Sequence, residues 1–218
     1  MIKKFIDTKI KWLFGLSIIY AVFSVFVTLL VDKIVHIAMV WNLFLAILPL
    51  IFSFYLIIFC EKKNKYMICL FALLWLFFFP NAPYVITDLV HISTVGIFEM
   101  NTMDIAHWFR ITHFGLLIIL ALVFGMLSLY NVHNLVIKYK NKYYGTLFIV
   151  IVFLLSGYAI YIGRFLRFNS WDIFNYKMYV DLFINIDLFT ITFTLLMAFY
   201  ITFVYLIFYL LIDKKKGR

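Results

Sequence analysis

Long apolar runs alternate along this chain with short polar joints, and the lengths of the runs decide what they are. Six stretches, at roughly 12–31, 38–59, 66–79, 111–130, 144–162 and 188–211, are apolar and almost free of charge. About 20 such residues carry an α-helix across bilayer hydrocarbon. The pattern predicts an all-α, polytopic transmembrane bundle of about six spans, with 1–218 forming a single integral membrane domain and short helices on its outer face. The third run, "YMICLFALLWLFFF", is the shortest, and it stops at Pro80. Fourteen helical residues rise only about 21 Å, less than the roughly 30 Å of hydrocarbon. That shortfall predicts a helix broken by Pro80 inside the membrane, with a second short helix over 83–93 started by Asn81.

The polar joints differ in sign. "CEKKNKY" at 60–66, "NVHNLVIKYKNKYY" at 131–144 and the tail "IDKKKGR" are basic, whereas the intervening segments carry few lysines. Lysine-rich joints stay in the cytoplasm, so both termini are expected there. Three of the four arginines (Arg110, Arg164, Arg167) then fall on the outer side, with Asp88, Asp104, Asp172, His36, His91, His107 and His113. Those arginines oppose the orientation rule and need another reason to be where they are.

Composition narrows the class. The chain is 67% hydrophobic and 22% aromatic, with a mean hydropathy of +1.07, which excludes an ordinary soluble domain. The net charge of +9 sits in the joints between spans, so it sets orientation and gives no reason to expect a nucleic-acid partner. Cys60 and Cys69 are expected as free thiols. The run beginning at Trp12 lacks a small-residue cleavage site and reads as a retained span, not a signal peptide.

Candidate chemistry gathers where polar residues interrupt apolar runs. In "FFFPNAPYVITDLVHI" (77–92), Thr87, Asp88 and His91 fall three and four residues apart and are expected to share a helix face. Either Asp88 orients His91 or pairs with an arginine to close the bundle, or this face lines a ligand site, since ionisable groups at membrane depth mark function. In "GRFLRFNSWD" (163–172), Arg164 and Arg167 are three apart, suited to holding a phosphate or carboxylate; Asn169 or Ser170 with Asp172 reads as a helix cap. In "NTMDIAHWFRITH" (101–113), Asp104 and His107 repeat the spacing of Asp88 and His91. The two pairs are weak metal candidates, with interfacial capping and hydrogen bonding as the alternative, and neither pair has a firm third ligand. "WNLFLAILPL" (41–50) places Trp41 as an interfacial anchor, Asn42 as an amide entering the membrane and Pro49 as a kink.

Together "WNLFLAILPL", "FFPNAPYVITDLVH" and "GRFLRFNSWD" resemble an uncharacterised bacterial integral membrane family, domain of unknown function 1361. On this resemblance the signature positions are Asn42, Pro80, Asn81, Pro83, Tyr84, Thr87, Asp88, His91, Arg164, Arg167, Asn169, Trp171 and Asp172, with Asp104 as a looser one. It implies a cell-envelope role, beside ABC-type transport or envelope complexes, without naming a reaction or a cofactor. The expected function is an outer-face polar cavity that binds an anionic envelope molecule, a lipid headgroup or lipid-linked precursor. Arg164 and Arg167 would hold the anion, Asp88 and His91 would position or polarise it, and Asn42, Asn81, Tyr84, Asn169, Trp171 and Asp172 would complete the site. Membrane lipids and other membrane subunits are the expected partners. The alternatives are a membrane-embedded hydrolase or transferase using Asp88 and His91, with or without metal, and a scaffold for partner helices.

Overall fold

The computed structural model describes residues 2–31, 35–93, 105–168 and 186–213. Among the described residues the chain is helical with no strand, and six helices are long and apolar enough to cross a membrane. They are α1 (Ile2–Val31), α2 (Val35–Glu61), α3 (Lys65–Phe78) with its continuation, α6 (Ile105–Tyr139), α7 (Lys142–Tyr161) and α8 (Leu188–Asp213). The continuation of α3 comprises α4 (Asn81–Tyr84), a 3-10 stretch Val85–Leu89 and α5 (Val90–Ser93).

The joints close by local capping. Lys63 takes a left-handed conformation (φ 54) at the end of α2, and the amides of Lys62 and Asn64 reach back to Ile58 and Phe59 carbonyls, both at 3.1 Å. Asn64 then caps α3 by accepting from the Met67 amide at 3.2 Å. Asn141 caps α7 in the same way through the Tyr144 amide at 3.1 Å. Asp187 caps α8, accepting from the Thr190 amide and hydroxyl at 2.8 Å each. Those bonds favour its ionised form and hold its carboxyl below the usual aspartate value.

Helices α2 and α6 form the centre, packed on each other; α1 leans on both, α3 lies against α2, and α7 joins α6 to α8. One buried cluster (Leu43, Ala46, Phe114, Leu117, Phe124) unites α1, α2, α4 and α6. A second (Trp75, Met126, Leu129, Phe153, Ile201, Tyr205) unites α3, α6, α7 and α8. The outward faces of α1 and α8 stay apolar and exposed, as at Leu29 and Phe199. Such faces fit lipid as solvent.

The third span runs over Lys65–Leu89, 25 residues that include both prolines, and its α-helix is interrupted at Phe79 and Pro80, as the sequence predicts, before resuming at Asn81. Pro80 itself keeps right-handed dihedrals (φ −60, ψ −22). What differs from the expectation is the chain beyond the break, where the freed carbonyls are reused. Pro83 has no amide to offer Phe79, but the Ala82 amide bonds the Phe79 carbonyl at 3.2 Å. Phe78, four residues before Ala82, receives the Asn81 side-chain amide at 3.0 Å. Asn81 therefore satisfies a carbonyl behind it and does not cap a new helix ahead. The shift to i→i+3 bonding tightens the chain, and Val85–Leu89 forms a 3-10 stretch followed by one helical turn, Val90–Ser93, in place of a single helix over 83–93.

The fourth span is also longer than its apolar run, at 35 residues. Polar residues expected in a cytoplasmic joint are helical because they find partners inside the bundle. Asn131 donates to Ser53 at 3.0 Å, buried His133 bonds the Tyr205 hydroxyl at 2.7 Å, and Asn134 bonds the Tyr130 carbonyl at 2.8 Å.

Two glycines of this architecture are required by close approach. A Cβ on Gly125 of α6 would lie 2.6 Å from the Ala82 Cβ of α4, and one on Gly157 of α7 would meet the Thr194 backbone of α8. A Cβ on Gly115, by contrast, would meet nothing within 4 Å. Gly125→Ala should cost about 1–3 kcal/mol through overpacking and lower the melting temperature of the detergent-solubilised protein. Gly115→Ala should leave it unchanged or raise it, because alanine is the better helix former.

Candidate functional site

The tightened α4 segment delivers Asp88 into the bundle. Asp88 is 2% exposed, and its Oδ2 accepts from the Asn42 side-chain amide of α2 at 2.7 Å. Its Oδ1 faces two further groups, Arg164 Nη1 at 3.7 Å and His91 Nε2 at 4.0 Å. Only the Asn42 contact has hydrogen-bond length. The Arg164 side chain is 20% exposed and comes from a π-helical turn, Ile162–Leu166, that extends α7. The turn ends at Arg167, which is left-handed (φ 58) and exposed.

Beside Asp88 lies a cavity of about 380 Å³. One wall is polar, with Asn42, Asn81, Asp88 and His91; the others carry Trp41, Phe77, Tyr84, Phe168, Met39 and backbone around Gly163. The cavity exists because α2 and α7 make no extensive contact and are separated by the α4 segment. Gly163 lets α7 come close to that segment, since a Cβ there would lie 3.3 Å from the Tyr84 ring. Trp41 is 53% and Phe77 44% exposed on the flank of the bundle while also lining the cavity, so the cavity reaches the lipid-facing surface between α2 and α3.

The predicted residues are thus partly reunited. Asn42, Asn81, Tyr84, Asp88 and His91 converge on one cavity, and Arg164 joins them through Asp88. Thr87 turns away and donates to the Tyr84 carbonyl at 2.8 Å, because a 3-10 stretch does not place it on the His91 face. Arg164 and Arg167 are not two steps on one helix face, since the chain leaves the helix between them. His107 lies in the first turn of α6 and does not line the cavity. Among the described residues no three His, Cys, Asp or Glu side chains converge as a metal site would need. Asp104, Asn169, Ser170, Trp171 and Asp172 lie outside the described residues.

The family model described as "Protein of unknown function (DUF1361)" matches residues 41–208. The chain belongs to the DUF1361 family. No curated protein and no solved structure gives a significant match. The match spans the residues that line the cavity, from Trp41 to Phe168, with the exception of Met39.

A second buried polar network was missed by sequence reasoning. His113 of α6 meets the Tyr20 hydroxyl at 2.9 Å and the Ser24 hydroxyl at 2.8 Å through Nε2. Through Nδ1 it meets His36 Nδ1 of α2 at 3.3 Å. His36 and His113 are both fully buried. The signal was present as Tyr20 and Ser24, four apart within an apolar run and therefore on one face of the first span.

The distances rank the contacts around Asp88. Asn42 gives Asp88 a hydrogen bond, about 1.5–3 kcal/mol for a charged acceptor, whereas Arg164 at 3.7 Å makes none and acts through charge alone. A double-mutant cycle of Asn42→Ala with Asp88→Ala, read from melting in detergent, should show a larger coupling than the cycle of Asp88→Ala with Arg164→Ala. The reverse order would contradict the geometry.

Proposed function

We propose that this DUF1361 protein resides in a bacterial cytoplasmic membrane with both termini inside. Its cavity then opens toward the outer leaflet and binds an envelope amphiphile, a lipid headgroup or lipid-linked precursor, by its anionic group. The observation that carries this reading is Arg164, placed 3.7 Å from the buried carboxylate of Asp88, which lines a cavity together with Trp41, Phe77 and Tyr84. At that distance the guanidinium is held by charge but has not spent its five donors on Asp88, so they remain for a phosphate or carboxylate. Arg167, next to cavity-lining Phe168, adds a second positive charge at the rim. The flank opening beside Trp41 and Phe77 suits a molecule whose chains remain in lipid while its head enters the protein. The apolar outer faces of α1 and α8 leave room for partner helices, which supports a role as accessory subunit of an ABC-type transport or envelope complex.

The Asp88–His91 pair supports a second reading, a membrane-embedded hydrolase or transferase in which one of them is the general base. The two separate cleanly. Arg164→Gln combined with Arg167→Gln should abolish the lipid retained by the purified protein in native mass spectrometry; unchanged retention would sink the anion-binding reading. Asp88→Asn should abolish cellular function with the lipid still retained if the protein is an enzyme.

A further inference from the structure

The charges around the cavity restrict the ligand further than the word anionic does; the restriction rests on the cavity reading above. Asp88 and Arg164 form an ion pair that is close but not hydrogen-bonded, 3.7 Å apart, with the carboxylate buried. Asp88 Oδ2 is engaged by Asn42. Among the described residues Oδ1 has only the two longer contacts, to Arg164 and to His91 at 4.0 Å, so it can still accept a strong hydrogen bond.

A purely anionic head that drew Arg164 to itself would leave the buried Asp88 carboxylate without its counter-charge, which is strongly unfavourable. A purely cationic head that drew in Asp88 would strand the guanidinium instead. A head bearing both charges avoids both losses, because one loose pair is exchanged for two charge-assisted hydrogen bonds. The positive end is further specified. Oδ1 needs a donor, which a primary ammonium has and a quaternary one lacks. The residues that line the cavity include the aromatic side chains of Trp41, Phe77 and Tyr84, and aromatic rings attract a cation.

We propose that the cavity selects a zwitterionic head group carrying a primary ammonium and a phosphate ester close together, of the phosphoethanolamine type. The ammonium donates to Asp88 Oδ1 between the aromatic rings, and the phosphate accepts from Arg164. The acyl chains leave through the flank opening at Trp41 and Phe77.

The test uses the full chain in a neutral detergent and native mass spectrometry. The probes are phosphatidylethanolamine, phosphatidylglycerol and phosphatidylcholine of identical acyl chains. The wild type should hold phosphatidylethanolamine at least about tenfold more tightly than either of the others, a difference of about 1.4 kcal/mol. Asp88→Asn should bring the ethanolamine-to-glycerol ratio close to one, and Arg164→Gln should weaken both lipids. If phosphatidylglycerol binds as tightly as phosphatidylethanolamine to the wild type, the zwitterion proposal is overturned while the Arg164 anion site stands. If phosphatidylcholine equals phosphatidylethanolamine, the primary-amine requirement is overturned. If no lipid is held, or Arg164→Gln changes nothing, the cavity reading fails as well. Soluble phosphoethanolamine is added as competitor: displacement of the lipid supports recognition of the head group from either source, and its failure at saturating concentration confines the ligand to the lipid. The wild-type comparison decides the proposal even if a variant does not fold.

Discussion

The structure is organised around the burial of one carboxylate. Asp88 lies almost wholly inside a membrane bundle, where an isolated ion is prohibitively costly. Three helices contribute to its compensation: Asn42 from α2 by a 2.7 Å hydrogen bond, Arg164 from the extension of α7 and His91 from its own segment. None of these groups is close to Asp88 in sequence except His91, so the carboxylate specifies how α2, α4 and α7 must meet. Where those helices cannot also fill the space between them, the cavity remains.

Delivery of Asp88 depends on backbone chemistry earlier in the same span. Pro83 has no amide for the Phe79 carbonyl, and the Ala82 amide and the Asn81 side chain take up the Phe79 and Phe78 carbonyls in its place. The resulting tight segment is slim enough to wedge between α2 and α6, with Ala82 against Gly125. A regular helix with large residues at these positions would hold α4 away from α6 and move Asp88 out of reach of Asn42.

Much of this was legible in advance, and the failures have physical causes. Run lengths gave the six spans, because a helix must be long enough to cross hydrocarbon whatever its neighbours do. Asp88, His91 and Asn42 stood out as polar groups at depth, and they do share a cavity. The break at Pro80 was legible because proline has no amide to continue the ladder; the 3-10 stretch beyond it was not, because it depends on the substitute donors that Ala82 and Asn81 supply. The pairing of Arg164 with Arg167 assumed an unbroken α-helix, whereas a π-helical turn and a left-handed residue intervene. The polar extension of α6 was unreadable for a different reason. Asn131 and His133 are tolerable only because Ser53 and Tyr205, both distant in sequence, meet them.

The two polar networks are joined by α2. His36, Met39 and Asn42 are spaced three residues apart along its first turns. His36 is locked against His113, Met39 both lines the cavity and belongs to the core, and Asn42 holds Asp88. A rigid helix cannot move one of these residues alone. Any displacement of α2 that loosened Asn42 from Asp88 would also shift His36 against His113, and close packing around Phe114 and Leu43 opposes both at once. The buried histidine pair therefore does structural work for the cavity without touching it: it holds the register of α2 on which the Asn42 contact depends.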